Sequence, residues 1–259
     1  MIPQSYITAW RKHAPWQEDY QVEQDLIIHR SLIALFGDEF IRERLAFRGG
    51  TALHKLFLKP AARYSEDIDL VQAKPEPFGP IIDKIREALS FLGTPSIAQK
   101  LHNNTLVYRF TSEDHVPIKL KVEVNTREHF SVFGLKNIPV KRESEWNKDE
   151  AAVPVFSLDE LLATKLRALY QRKKGRDLFD LWYAINNASV NVESVIKAFR
   201  YYMQAEGAMI SQKLFVENID KKILDEDFIG DTNGLLRPGI VYDVVEAYEQ
   251  VKKEILEKL

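Results

Sequence analysis

Two aspartates separated by one residue, Asp67 and Asp69 in Ser65-Glu66-Asp67-Ile68-Asp69-Leu70, are the residues of this chain best suited to metal chemistry. In an extended strand, residues i and i+2 project from one face, so the two carboxylates point together while Ile68 and Leu70 face the other way. Carboxylates held so close repel each other, and keeping both ionised is costly unless a cation sits between them. Mg²⁺, with Mn²⁺ as the alternative, suits such a pair because it takes oxygen ligands and shares its coordination with water and phosphate. An isolated D-x-D is more often a pair of surface aspartates than a metal site, so the surrounding residues decide.

Three other groups accompany it. Gly49-Gly50-Thr51 begins 18 residues before Asp67, where an apolar segment runs into a helical one. Glycines at such a junction let the backbone approach a phosphate, the following N–H groups receive its charge, and Thr51 adds a hydroxyl. Ser65 stands two residues before Asp67, so in a strand its hydroxyl shares the carboxylate face. It either contacts phosphate or caps a turn, and the further idea is that phosphorylating it would add about −1.5 to −2 charge and block nucleotide binding. On Lys119-Leu120-Lys121-Val122-Glu123-Val124-Asn125, alternation puts Glu123 on a polar face, where it becomes a third carboxylate if this strand lies beside the D-x-D. The alternative is an exposed strand with a mixed-charge outer face. Further on, Lys165 and Arg172 lie about two turns apart on one helical face, Gly175 is expected to end that helix, and Asp177 and Asp180 open the next near its positive end. With Lys173, Lys174 and Arg176, these cations are candidates for holding a triphosphate or a nucleic-acid backbone. The alternative is a solvated helix end with Asp capping its successor.

The elements that must position these residues are read from hydrophobic period. Helices are expected over 6–12, 16–36, a short stretch from Asp38, 51–58 and 80–91. Strands are expected over 66–71, 97–102, 105–111, 117–126 and 137–141, with Asn103-Asn104 turning a hairpin. After Phe156 the period turns helical throughout: 158–172, 176–187, 191–206, 209–224 and 240–258. Ser157 with Glu160 reads as a capping box at the start of the first of these. The chain therefore divides near 155 into an α+β part, residues 1–155, and an all-helical part, residues 156–259, with 141–150 and Pro154 read as the linker.

Composition bounds the partners. The chain has 259 residues, 45 % apolar and 29 % charged, with a formal net charge of −2 and no cysteine. That is a globular protein with no disulfide, thiolate metal site or cysteine nucleophile, and without the overall basic field of a general nucleic-acid coat. No apolar run reaches the ~18–20 residues that cross a bilayer. The start, Met1-Ile2-Pro3-Gln4-Ser5-Tyr6, lacks the basic and apolar regions of a signal peptide. No membrane association is expected, and the expected location is the cytoplasm.

Together the motifs resemble the AbiEii/AbiGii toxin family of nucleotidyltransferase-like proteins, within the DNA polymerase β-type superfamily. The resemblance rests on Phe47-Arg48-Gly49-Gly50-Thr51-Ala52-Leu53, Arg63-Tyr64-Ser65-Glu66-Asp67-Ile68-Asp69-Leu70, Glu123, Lys165 and Arg176-Asp177-Leu178-Phe179-Asp180-Leu181, in the family's order across 47–182. It implies a nucleotidyltransferase-like mixed sheet with flanking helices, an all-helical C-terminal lobe, and an active site in the cleft between them. It also implies a nucleoside triphosphate donor, Mg²⁺, and a toxin role in a toxin–antitoxin or phage-defence system, with a cognate antitoxin as partner. By motif, Gly49, Gly50 and Thr51 contact phosphate, Asp67 and Asp69 bind metal, Lys165 contacts the triphosphate, Asp177 sits near the nucleotide or places the acceptor, and Asp180 is structural. The implied reaction is nucleotide transfer to RNA, with the tRNA 3′ end the leading acceptor. Transfer to a protein side chain and a nucleotide-binding module without turnover are the alternatives. The superfamily's first motif commonly reads Gly-Ser, whereas here Gly-Thr follows a second glycine.

Overall fold

A computed structural model describes residues 2–147 and 149–259, and the chain forms two compact units, one running to Phe156 and the other Ser157–Leu259. The first is α+β. Its elements are α1 (Gln4–Trp10), α2 (Asp19–Gly37), α3 (Glu39–Arg44), β1 (Leu45–Arg48), α4 (Gly49–Ala52), β2 (Asp67–Gln72), α5 (Gly79–Ala88), β3 (Ser96–Lys100), β4 (Asn103–Thr111), β5 (Pro117–Asn125), β6 (Lys136–Val140) and β7 (Ala151–Val155). The seven strands form one mixed sheet in the order β3-β4-β5-β2-β1-β7-β6. The β2–β5 and β1–β7 pairs are parallel and the other four antiparallel.

The alternation expected at the D-x-D is present. Ile68 and Leu70 of β2 are buried with Leu120, Val122 and Val124 of β5, while Asp67, Asp69 and Glu123 are half-buried. α2 supplies much of the core through Val22, Leu26, Ile27, Leu32 and Leu35. Its end at Gly37 is followed by Asp38, whose carboxylate accepts from the Ile41 N–H at 3.0 Å and starts α3.

Three expectations for this unit are corrected. Asn103-Asn104 is not the hairpin turn: both residues lie in β4, and the chain reverses at Leu101-His102, with Leu101 at φ +34°. β4 pairs with β5 along its whole length, from Asn103↔Asn125 to Thr111↔Pro117, and that ladder outweighs the local turn preference of asparagine. Pro154 is not a linker residue but lies within β7. β7 meets β1 only at Phe47↔Val155, so a residue without an N–H costs the sheet little there. The segment expected as a helix over 51–58 is α4 followed by a wider π turn, Leu53–Phe57.

The second unit is helical: α6 (Leu158–Gln171), α7 (Gly175–Asn187), α8 (Val192–Ala205), α9 (Gln212–Lys222), α10 (Glu226–Ile229) and α11 (Val244–Glu254). Among the described residues, no helix is long and apolar enough to cross a membrane. Ser157 caps α6 by accepting from the Glu160 N–H, but the buried Glu160 carboxylate accepts from the Tyr202 hydroxyl of α8 at 2.8 Å. A helix start thereby becomes a tie between α6 and α8.

Gly175 opens α7 and does not end α6, which stops at Gln171. A Cβ on Gly175 would lie 2.0 Å from the Phe228 carbonyl oxygen, a contact that backbone must move to relieve. Gly175→Ala is therefore expected to destabilise the helical unit by about 1–3 kcal/mol, read as a lower urea midpoint at unchanged slope. An unchanged midpoint would show that the α10 region gives way freely.

Candidate active site

The carboxylate face is assembled by strand register. Asp69 lies between Arg48 on β1 and Glu123 on β5, and Asp67 is opposite Lys121. Residues directly paired across strands share a face, so Arg48, Asp67, Asp69, Lys121 and Glu123 form one polar patch. Sequence alternation had placed Lys121 beside Glu123, but not against Asp67.

Gly49 fixes how close the loop comes to that patch. Its φ is +80°, a left-handed conformation that glycine tolerates best. A Cβ here would stand 2.0 Å from Asp69 Oδ2, so the carboxylate occupies the space of the missing side chain. Thr51 ties the start of α4 to the D-x-D strand: its buried hydroxyl donates to the Asp67 carbonyl and bonds the Ser65 hydroxyl at 2.7 Å. Ser65 precedes β2, and this bond engages its hydroxyl within the loop. Gly50 is buried in the same turn.

Charge on this face is balanced by the protein's own cations. Lys121 Nζ lies 3.3 Å from Asp67 Oδ2. Burial opposes the Lys121 charge, but Asp67, Glu123 and Glu66 more than offset it and raise its pKa above the ordinary lysine value. Arg48 is held by Glu128 at 2.6 Å, in a pair that is largely buried on both sides. Asp67 Oδ1 is buried with no hydrogen-bond partner among the described residues. A buried acceptor left open is unusual and calls for an ion, a water or a ligand group. With Asp69 beside it, the donor set fits a hard divalent cation that keeps water and phosphate oxygens in its remaining positions. Among the described residues, no three His, Cys, Asp or Glu side chains converge on a common point. Glu123 is thus in register with Asp69 without closing a three-carboxylate cage.

The helical unit has its own ion cluster. Lys165 Nζ lies 3.1 Å from Asp177 Oδ1 and 2.8 Å from Asp180 Oδ2, with all three side chains almost fully buried. Arg172 adds a two-pronged contact to Asp177 at 2.7 and 2.8 Å. Burial alone would raise the Asp177 pKa; Lys165 and Arg172 reverse that and hold it below the usual carboxylate value. Lys165 therefore bridges Asp177, expected near the nucleotide or acceptor, and Asp180, expected to be structural.

The basic run is also occupied. Lys173 pairs with Asp225 at 2.7 Å, Lys174 with Asp231 at 3.2 Å, and Arg176 with Asp231 through two contacts of 2.9 and 3.0 Å. Asp231 also accepts from the Arg176 backbone N–H and is largely buried. Arg176 thus fastens the 225–231 segment to the start of α7. Lys173 and Lys174 are about half exposed, and such pairs exchange readily for another anion. Sequence spacing could not reveal partners more than fifty residues away.

Residues 30–249 match the model of the AbiEii nucleotidyl transferase toxin family of type IV toxin–antitoxin systems. The chain belongs to this family. It is a nucleotidyltransferase, with the α+β sheet and helical unit expected of one. No curated protein matches the sequence. The fold is shared with solved structures, among them the following two. MenT4, a nucleotidyltransferase toxin from Mycobacterium tuberculosis H37Rv, is 17% identical at a TM-score of 0.60, covering 100% of this chain and 91% of that one. A protein from H. pylori described as a candidate nucleotidyltransferase is 18% identical at a TM-score of 0.58, covering 93% and 97%.

The geometry of this AbiEii family member sets three expectations. Gly49→Ala displaces the Asp69 carboxylate and should lower pyrophosphate-releasing turnover by about a hundredfold, since small misplacements of reacting groups have costs of that order. Circular dichroism should show the fold retained; turnover near wild type would mean Asp69 need not hold this position. Lys165→Met leaves two buried carboxylates without their shared cation and should cost roughly 3–5 kcal/mol in denaturant unfolding. Because the folded Asp177 pKa lies below its unfolded value, its stabilisation is complete above about pH 5 and is lost as pH falls through the folded value. Asp177→Asn should flatten that acid limb of the wild-type stability curve.

Proposed function

We propose that this chain transfers a nucleoside monophosphate from an NTP to an RNA acceptor, with the tRNA 3′ end as the leading candidate, using Mg²⁺ or Mn²⁺ at Asp67 and Asp69. The observation that carries the reading is the open, buried Asp67 Oδ1 beside Asp69, whose carboxylate lies against Gly49 of the glycine turn. In this reading, oxygens that would take a metal stand beside a backbone that would accept a phosphate.

In the reaction, the acceptor hydroxyl oxygen forms a bond to the α-phosphorus. The bond from that phosphorus to the bridging oxygen breaks, pyrophosphate leaves with the electron pair, and the hydroxyl proton passes to a carboxylate of the Asp67–Asp69–Glu123 face. The divalent ion, when bound, supplies Lewis-acid stabilisation of charge on the phosphates. Gly49 and Gly50 let the triphosphate approach the backbone, Thr51 fixes the loop on β2, and Lys121 offsets negative charge at Asp67. Lys173 and Lys174 are the members of the basic run proposed to meet an acceptor's phosphates, while Arg172 and Arg176 serve mainly to order the helical unit. An antitoxin partner accords with the toxin–antitoxin description of the family.

Transfer to a protein side chain is the second reading, favoured by the net charge of −2 and by the carboxylate partners of all four basic-run residues. Incubating the chain with each α-labelled NTP, Mg²⁺, total RNA and cell lysate separates the two. Label is expected in small RNA, to be lost with Asp69→Ala and with EDTA. Label in protein alone would replace the RNA acceptor. Undiminished labelling of RNA by Asp69→Ala would overturn the site.

A further inference from the structure

The first unit contains a second concave site that uses none of the carboxylate-face residues. It is a cavity of about 570 Å³ walled by α1, α2, the π turn after α4, and β6 with the residues that follow it. That volume is within the usual range for small-molecule sites. Gly49, Thr51, Asp67, Asp69 and Glu123 do not line it.

Its floor and rim differ in chemistry. The floor is ringed: buried Trp10 packs against half-buried His13 and buried His29 with ring centroids 4.5 and 4.7 Å away, and buried His54, Leu32 and Val140 complete it. His29 Nε2 lies 3.0 Å from the Lys141 carbonyl, which can only accept, so that nitrogen carries the proton. Burial lowers the His29 pKa to about 3, so the ring is neutral at physiological pH. His13 has a buried Nε2 with no hydrogen-bond partner among the described residues, so a small shift of this half-buried ring is needed to satisfy it. The rim carries exposed Lys12, Lys59 and Lys141.

One lysine lies deeper. Lys55 is mostly buried, and its ammonium lies 2.6 Å from Asp25 Oδ1, the same oxygen that accepts from the Trp10 indole N–H at 2.8 Å. Asp25 and Glu143 are the carboxylates lining the cavity, set against four lysines. The excess positive charge therefore belongs to the lysines and needs no protonated imidazole. A ligand that fits has a flat, weakly polar part for the ringed floor and an anionic part for the lysine rim.

We propose that this cavity is a second, metal-independent binding site for a nucleoside phosphate, held with its base on the Trp10–His13–His29 floor and its phosphate at the Lys12–Lys59–Lys141 rim. The proposal does not depend on the acceptor assigned above. The cavity is connected to the glycine turn through the chain itself: His54 and Lys55 lie in the π turn that directly continues α4. On α2, Gln24 donates to the Glu66 and Lys119 carbonyls, while its neighbour Asp25 lines the cavity. Occupancy of the cavity is thus suited to reporting nucleotide level to the loop that bears Gly49 and Thr51.

Titration calorimetry on the full chain in EDTA, with AMP, GMP, CMP and UMP as probes, tests the site without loading a metal. Saturable binding of at least one of them is expected. The double variant Lys12→Glu/Lys141→Glu changes exposed rim charges and should weaken that binding by about tenfold or more at unchanged Tm. Asp69→Asn should leave it intact. Three results would overturn the proposal: no saturable binding up to about 10 mM, binding insensitive to the rim reversal, or binding abolished by Asp69→Asn. Pyrophosphate binding as tightly as any nucleotide would overturn the role of the ringed floor.

Discussion

The carboxylate of Asp69 fills the space that a side chain would take on Gly49, and the rest of the first unit is arranged around that contact. A left-handed glycine, a strand pair in which Arg48 faces Asp69, and a parallel neighbour that puts Glu123 alongside must all hold for the contact to exist. Each is set by a different part of the chain. The apolar side of β2 and β5 locks the register, because a one-residue slip of β2 would turn Ile68 and Leu70 toward water and bring Asp67 and Asp69 into the core. Burial of hydrocarbon therefore fixes the direction of the polar groups, and no polar contact has to do so.

The protein also supplies the charge that such a site requires. Two adjacent carboxylates are tolerated because Lys121 lies against one, and Arg48 in register with the other is itself pinned by Glu128. The helical unit solves a similar problem differently, burying Asp177 and Asp180 around Lys165 and drawing in Arg172 from the loop. The first cluster is half open to solvent and leaves an acceptor unfilled; the second is closed and satisfied. The two clusters thus differ in exposure and in whether every acceptor has a partner within the protein.

Much of this was legible in the sequence, and the misses share a cause. Period-two alternation gave the faces of β2 and β5, and period 3.6 gave the helices after Ser157, because both patterns record burial directly. Pro154 was misread because its tolerance in β7 depends on how little of that strand β1 pairs with. Asn103 and Asn104 were misread because a nine-residue ladder overrode a two-residue preference. Gly175 was read as the end of α6, whereas its reason is a carbonyl on Phe228, far along the chain. The partners of Lys173, Lys174 and Arg176, and the cavity lined by Trp10, His29, Lys55 and Lys141, likewise arise from long-range juxtapositions that no local window contains.

The π turn after α4 carries one further consequence. A π turn is an α-turn with an extra residue, and it shifts the angular phase of everything after it by about 100°. His54 and Lys55, inside that wider turn, line the cavity, while Gly49 and Thr51, just before it, lie over β2. One short segment thus has two outlooks separated by a rotation. Removing a single residue from the turn would leave the composition of both places almost intact and uncouple their orientations, so the link between them lies in the winding of the backbone rather than in any one side chain.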